Sequence, residues 1–230
     1  MDDTNKQVKS KKRVAEHGEV FTAEREVNAM LDLVKHETER IDSRFLEPAC
    51  GTGNFLAEIL KRKLVVVQSR YGKHPADFER NAFVALSSIY GVELLEDNAK
   101  ECRARLFKIF DESYTKVCKK DCSEDFRKAA RFILERNILC GDALTLKDTN
   151  DEPIAFSEWS LVTGNLVKRR DFHLSQLLDA NEAQMNIFMD GWEYDAELGQ
   201  YIPQPFREFP LVDYRSIQDQ QNAFALEKGS

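Results

Sequence analysis

Hydrophobic and polar positions along the first two thirds of the chain follow two patterns, one typical of strands and one typical of helices. Short apolar runs that are typical of buried strands occur at Phe45–Leu46, Ile89–Val92, Asn137–Cys140 and Leu161–Val162. Apolar residues at helical spacing predict helices from Thr22 to Val34, from Asn54 onward, from Asp97 to Tyr114 and from Glu124 to Leu134. Strands that alternate with helices indicate an α/β protein with a parallel sheet whose faces are covered.

Residues outside this pattern divide the chain into three parts. Residues 1–18 are polar and rich in lysine and predict a flexible or loosely docked arm, residues 19–175 carry the strands and helices, and residues 176–230 form an acidic extension. Within the domain, residues 71–82 are polar and predict a loop or a helix end. Within the extension, Trp192 to Ile202 predicts a hairpin around Glu197-Leu198-Gly199.

The overall composition is that of a globular protein, with 42% hydrophobic residues. No stretch approaches the roughly 18 consecutive apolar residues that a membrane span requires. The N-terminus is polar from the start, without the apolar core of a signal peptide. We therefore expect a cytoplasmic protein with no membrane partner.

Charge restricts the ways in which the chain could bind nucleic acid. The chain has 33 basic and 40 acidic residues, and from Asp151 onward there are only 6 basic against 14 acidic residues. This balance argues against binding by bulk charge, so a nucleic-acid site would have to be a local patch. The candidates are Lys9 to Arg13 and the cluster of Lys168, Arg169 and Arg170, although that cluster could equally be a solvated loop.

The five cysteines are irregularly spaced, and only Cys118 and Cys122 lie close together in sequence. A zinc site would need two more ligands at suitable spacing, and the four scattered histidines do not supply them. We expect no metal site and reduced cysteines.

Each strand in the pattern ends at a polar residue: Glu47, Glu93, Asp142 and Asn165. In an open α/β sheet, ligands bind at the carboxyl ends of the strands, where such residues meet. The sequence therefore predicts a ligand site at this edge of the sheet.

The turn after the first strand, Gly51-Thr52-Gly53, narrows the class of ligand. Leu56 occupies the place of the third small residue of a dinucleotide fingerprint, and no Lys-Ser/Thr pair of a P-loop follows. Two glycines still let a ligand approach the backbone. Glu93 follows Gly53 by 40 residues instead of the ~20 of a compact dinucleotide unit, and a carboxylate there can accept both ribose hydroxyls. The pattern favours a nucleoside-bearing ligand without a pyrophosphate.

Four sequence motifs carry a resemblance to a known family. The stretch FLEPACGTGNFL resembles motif I of the S-adenosylmethionine-dependent DNA adenine-N6 methyltransferases, particularly the type I modification subunits. The stretch GEVFTAEREVNAML is similar to the upstream motif of that family, IYGVELLEDNAKECRARL to motif II and NILCGDAL to motif III. The resemblance covers Gly18 to Leu174. It implies a Rossmann-like class I methyltransferase sheet, mostly parallel and possibly incomplete, with helices on both faces, and S-adenosyl-L-methionine as the cofactor.

The resemblance also implies roles for individual residues. Upstream residues would pack beside the cofactor, the glycine turn would hold its methionine part, Glu93 would accept the ribose hydroxyls and Asp142 would face the adenine. The implied cofactor residues are Phe21, Thr22, Glu47, Pro48, Ala49, Cys50, Gly51, Thr52, Gly53, Asn54, Phe55, Glu93, Leu94, Asp142 and Ala143. Two alternatives stay open: Glu47 as an acid near the positive dipole of a helix start, and Asp142 as a simple turn residue.

The pattern of the family breaks at its catalytic signature, Asn/Asp-Pro-Pro-Tyr/Phe, where this chain has Asn165-Leu166-Val167-Lys168. The resemblance implies that Asn165 accepts hydrogens of the adenine amine and that Phe172, the nearest downstream ring, stacks on the flipped base. Three interpretations stay open: an inactive site, a variant loop that still works, or a phosphate site formed by Lys168, Arg169 and Arg170.

The functional hypotheses follow from these observations. The first is methyl transfer to adenine N6 in duplex DNA with a flipped adenine, as part of a restriction-modification or phage-type system. The second is an inactive cofactor-binding subunit or decoy that needs a specificity or other partner chain. The third is a methyltransferase for small molecules or proteins, whereas Leu56 and the Gly53–Glu93 spacing make a dehydrogenase a poor fit.

Overall fold

The computed structural model describes residues 9–17, 20–178, 192–195 and 200–220. The helices are α1 (Lys11–His17), α2 (Glu24–Asp32), α3 (Lys35–Thr38), α4 (Asn54–Tyr71), α5 (Pro75–Ser87), α6 (Glu96–Cys118), α7 (Glu124–Asn137) and α8 (Leu174–Leu178). The strands are β1 (Phe45–Glu47), β2 (Ile89–Glu93), β3 (Ile138–Asp142), β4 (Lys147–Asp148), β5 (Ala155–Thr163), β6 (Leu166–His173), β7 (Trp192–Asp195), β8 (Gln200–Pro203), β9 (Arg207–Glu208) and β10 (Val212–Asp213). Short 3₁₀ helices cover Lys119–Asp121 and Tyr214–Asp219.

The central sheet has the strand order β1-β2-β3-β4. Strands β1, β2 and β3 are parallel, with Phe45 opposite Ile89 and Gly91 opposite Ile138, and the two-residue strand β4 runs antiparallel to β3. The predictions of an α/β fold, of a mostly parallel sheet and of its first three strands are confirmed.

Helix α5 covers most of the segment 71–82, whose polar composition predicted a loop or a helix end. Tyr71 is the end of α4, and the prediction of a loop was wrong for the residues of α5. The helix starts with Pro75 in its first turn, a position that suits proline because the missing N–H has no partner there. Phe78, Ala82 and Phe83 are buried on one face, and polar residues between them occupy the other positions. A narrow apolar stripe was therefore enough to make a helix.

All four long helices, α4 to α7, pack on one face of the parallel sheet. Ile89 shares one large core with them, whereas Tyr90 and Val92 point into a second cluster on the opposite face. Among the described elements, the long helices thus cover one face only, and the cluster on the opposite face includes Leu174, the first residue of the short helix α8. Strands β1, β2 and β3 advance in one direction, and right-handed crossovers then leave every connecting helix on the same side.

A β-hairpin, β5–β6, covers the opposite face instead. Leu161–Val162, predicted as a fourth strand of the parallel sheet, belongs to β5, which pairs antiparallel with β6. Gly164 and Asn165 form the two-residue loop, and Gly164 has a φ of +53°, as the first loop position of such hairpins favours. The expectation that Asn165 ends a parallel strand was therefore wrong.

The course of β5 runs from one edge of the parallel sheet to the other. At its start, Ile154 donates its N–H to the carbonyl of Leu146, just beyond the carboxyl end of β3. Further on, the Tyr90 hydroxyl donates to the Ser157 carbonyl, and Trp159 Nε1 donates to Asn137 Oδ1, directly before β3 begins. The hairpin loop lies beyond this point and so projects from the amino edge of the sheet.

The C-terminal residues extend the hairpin sheet. Strands β9 and β10 both pair with β6, and the 3₁₀ helix at Tyr214–Asp219 packs against α7. Strands β7 and β8, the arms of the predicted hairpin, pair antiparallel, and the predicted loop at 197–199 lies outside the described residues. Among the described helices, none combines the length and apolar character that crossing a membrane requires.

Candidate functional site at the carboxyl edge of the sheet

A cavity of about 560 Å³ opens at the carboxyl edge of the parallel strands. Its walls come from the ends of β1, β2 and β3, from the start of α4 and α6, and from the segment before α2. The lining residues are Val20, Phe21, Thr22, Glu47, Pro48, Ala49, Cys50, Gly51, Asn54, Phe55, Glu93, Leu94, Leu95, Asn98, Gly141, Asp142, Ala143 and Leu144. Thirteen of the fifteen predicted cofactor residues are among them; Thr52 and Gly53 belong to the turn but do not line the cavity.

The turn between β1 and α4 depends on its two glycines. Gly51 and Gly53 have φ angles of +53° and +83°, which side-chain-bearing residues rarely adopt. A Cβ on Gly53 would lie 2.6 Å from Cys102 Sγ, and one on Gly51 would lie 3.1 Å from the Phe21 ring. The glycines thus let α6 and the upstream segment pack directly on the turn.

The upstream segment is held over the turn by Asn54. Its Nδ2 donates to the Thr22 carbonyl at 2.8 Å, and its Oδ1 accepts from Arg105 at 2.5 Å. Thr22 does not cap α2, because Ala23 occupies the N-cap position. Phe21 and Thr22 instead form one wall of the cavity.

Glu93 ties the turn to the end of β2. Its Oε2 accepts the N–H of Gly51 at 2.8 Å, and its Oε1 accepts from the Leu95 N–H at 3.1 Å and from Asn98 Nδ2 at 3.2 Å. A carboxylate has about four acceptor positions, so three protein donors leave about one for a ligand. Glu93 therefore both shapes the site and keeps an acceptor toward the cavity.

Glu47 lies half-buried at the end of β1 and lines the same cavity. Burial raises the pKa of its carboxyl group, while the backbone N–H of Ala49 partly opposes the shift. Among the described residues, no cation forms an ion pair with Glu47. A positively charged ligand group would relieve this cost of burial.

The end of β3 places the carboxylate of Asp142 among aliphatic side chains. Asp142 Oδ1 accepts the N–H of Leu144 at 2.8 Å, which fixes the carboxylate beside the cavity. Leu144 is 94% exposed, and Leu94 and Val20 are also exposed although they are aliphatic. This rim suits a flat ring whose faces contact the aliphatic side chains and whose edge donates a hydrogen bond to Asp142.

The structure does not bring the predicted catalytic residues to this cavity. Asn165 lies in the hairpin loop beyond the amino edge, where its carbonyl accepts the N–H of Tyr214 at 3.0 Å. Phe172 lies near the other end of β6, roughly 23 Å from Asn165 at about 3.3 Å per residue. Phe172 is 9% exposed and lines a separate cavity of about 290 Å³ with Phe45, Leu46, Tyr90 and other residues.

The predicted basic cluster is engaged in ion pairs along β6. Lys168 pairs with Glu208 at 2.8 Å and Arg170 pairs with Glu158 at 2.7 Å. Arg169 is buried and forms two hydrogen bonds with Asp171, each of 2.9 Å. These three residues alternate between the two faces of a strand and do not form a single patch of unpaired cations.

Sequence reasoning missed Asn98 and Leu95, which line the cavity from the start of α6. Asn98 is the one polar residue among the buried positions of the first turns of that helix, and this pattern was the available signal. No group of three or more His, Cys, Asp or Glu side chains suited to a metal ion occurs in the described ranges.

The site is interpreted from its own geometry, because comparison with known proteins gave no relative to guide it. No family model, no curated protein and no solved structure matched the chain.

Proposed function

We propose that this chain binds S-adenosyl-L-methionine at the carboxyl edge of its sheet, as a DNA adenine-N6 methyltransferase-like protein that does not transfer methyl groups as an isolated chain. One observation carries the first part. Thirteen residues chosen from four separate motifs line one cavity, together with a glycine turn that leaves the backbone open to a ligand.

The chemistry of each wall fits one part of the cofactor. Glu47, a half-buried carboxylate that forms no ion pair within the described part of the chain, suits the α-ammonium of the methionine part. The remaining acceptor of Glu93 suits a ribose hydroxyl, and Asp142 between exposed aliphatic residues suits the adenine. The volume of about 560 Å³ falls within the ~300–1,000 Å³ of small-molecule sites.

The position of Asn165 supports the second part of the proposal. The amine of adenine is a poor nucleophile, so transfer depends on acceptors that align it with the methyl group. The residue expected to provide such an acceptor lies beyond the amino edge of the sheet, and its hairpin loop replaces the expected strand end. A partner chain that brings an acceptor and the target base to the cavity would complete the site.

Calorimetric titration with S-adenosylhomocysteine tests the binding site. Glu47→Gln keeps the side-chain shape but removes the charge, so we expect affinity about tenfold weaker or worse, as for a lost hydrogen bond between charged groups. Glu112→Gln is the matched control, because Glu112 is an exposed carboxylate of α6 that pairs with Lys108. A wild-type protein that does not bind the ligand would refute the proposed site.

Transfer is tested by expressing the chain in a host without adenine methylation and sequencing modified bases across the genome. We expect an unmodified genome. Methylated adenine in a repeated motif would overturn the second part of the proposal, and Asn165→Ala would then show whether that residue takes part. If the enzyme is active through Asn165, the variant loses transfer and keeps binding S-adenosylhomocysteine.

A further inference from the structure

Helix α1 and the residue pair before it dock on the N-terminal turns of α6. Lys9 Nζ donates to Glu101 Oε2 at 2.7 Å, and Arg13 Nη1 donates to Asp97 Oδ2 at 2.7 Å. The Arg13 guanidinium lowers the pKa of the Asp97 carboxyl to about 2, so this pair stays charged at neutral pH. These contacts place a lysine close to the cavity although Lys9 itself does not line it.

Lys9 makes a second contact that reaches into the site. Its ammonium donates to Asn98 Oδ1 at 2.7 Å, and Asn98 Nδ2 donates in turn to Glu93 Oε1 at 3.2 Å. Asn98 is 1% exposed and Glu93 is 7% exposed, so the contact between amide and carboxylate is shielded from water, whereas the Lys9 side chain keeps 30% of its surface exposed. An ammonium only donates and a carboxylate only accepts, so the two partners fix which way the amide points.

We propose that Lys9 is a positioning residue for the cavity: acting through Asn98, it holds the Glu93 carboxylate in the orientation that leaves an acceptor for a ribose hydroxyl. This inference rests on the proposed function. Without the ammonium, the buried Asn98 oxygen has lost its charged donor, and rotation of the amide would turn that oxygen toward Glu93. The carboxylate would then face an acceptor instead of a donor and would move away.

The structure offers a way to separate positioning from docking. Arg13 pairs with Asp97 at 2.7 Å, whereas Lys9 lies 3.6 Å from the same carboxylate. Lys9→Met therefore removes the relay and the ion pairs of Lys9 and leaves the Arg13 anchor in place. Lys9→Arg keeps a donor-only cation at the same place. Lys12 is the matched control, because its side chain is 80% exposed and its partner, Glu16, belongs to α1 itself.

The experiment compares adenosine with 2′,3′-dideoxyadenosine, which lacks both hydroxyls, by calorimetric titration of the full chain. We expect Lys9→Met to weaken adenosine binding about tenfold, the scale of one hydrogen bond to a charged group, and to change dideoxyadenosine binding little. The ratio of the two affinities, which measures the preference for the ribose hydroxyls, therefore falls in Lys9→Met. Lys9→Arg should retain most of this preference, and Lys12→Met should retain all of it.

Each other outcome has a defined meaning. If Lys9→Met weakens both nucleosides equally, Lys9 has only a structural role and the inference is overturned. If Lys9→Met leaves both affinities unchanged while the wild type binds S-adenosylhomocysteine, the inference fails and the proposed function stands. A wild-type chain that binds neither adenosine nor S-adenosylhomocysteine overturns both.

Discussion

The two edges of the parallel sheet both contain polar and charged residues, but they differ in how completely the protein itself supplies the partners of these residues. At the amino edge, Lys63 is fully buried and donates to the carbonyls of Ile41 and Ser43 and to the Ser88 hydroxyl. Burial lowers the pKa of Lys63 to about 7, and the negative charge of Asp42 partly opposes that shift. Every donor of this group has a protein partner.

At the carboxyl edge, the carboxylates keep capacity for further partners. Glu47 faces the cavity and forms no ion pair with any described residue, and Glu93 keeps an acceptor beyond its three protein donors. Such groups are suited to bind a polar or charged ligand. The difference teaches that the amino edge serves as scaffold, whereas the carboxyl edge is the candidate site.

The largest effect should come from filling the glycine turn. Gly53→Ala adds a Cβ at a φ of +83° and 2.6 Å from Cys102 Sγ. We expect a loss of about 2–5 kcal/mol in the free energy of unfolding, from backbone strain and overpacking, measured by urea denaturation. Cys102→Ala in the same chain should recover part of the loss by removing the clash. Losses that simply add in the double variant would show that the Cys102 contact is not the cause.

A smaller loss should follow from opening the amino edge. Asn137 donates to the carbonyls of Ser87 and Ile89 and accepts from Trp159 Nε1 at 3.0 Å. Asn137→Leu leaves these groups unpaired, so we expect about 2–4 kcal/mol less stability by urea denaturation. Affinity for S-adenosylhomocysteine should be unchanged in the folded protein, and weaker binding would contradict the division between scaffold and site.

The smallest effect concerns the charge at the carboxyl edge. Burial raises the pKa of Glu47, so the folded protein holds that proton to higher pH than the unfolded chain does. The protonated Glu47 therefore contributes to the free energy of unfolding fully below the pKa of the unfolded chain, about 4.5. That contribution is lost as the pH rises through the raised pKa of the folded protein. Glu47→Gln should remove this loss and raise the Tm slightly at neutral pH. A lower Tm would mean that the Glu47 charge has a stabilising partner.

Local signals made the first half of the fold accessible from sequence. Strands β1 to β3 are short apolar runs that end at an acid, and the glycine turn marks the start of α4. The same signals led to the site, because the predicted cofactor residues follow strand ends that a parallel sheet brings together. Proximity in the site is thus a consequence of topology.

The failures have equally specific causes. Leu161–Val162 has the local apolar pattern of a buried strand, and the Gly164-Asn165 pair that follows was the available signal that this strand turns back into a hairpin with β6. The contact of Asn98 with Lys9 could not be predicted, because the two residues lie 89 positions apart in the chain. Only this second failure concerns residues far apart in sequence.

The hairpin β5–β6 also bears on the order in which the molecule assembles. Its two ends meet where Leu174 donates its N–H to the carbonyl of Ile154 at 2.8 Å, so the whole unit closes over one short stretch of chain. The cavity, in contrast, requires β1, β2 and β3 to meet across more than ninety residues. Hairpins close in about 1–10 μs, whereas non-local parallel pairings are slower because long loops must first be ordered. The cover of the sheet can therefore form before the site that the sheet supports, and the cavity becomes one of the last features of the molecule to be completed.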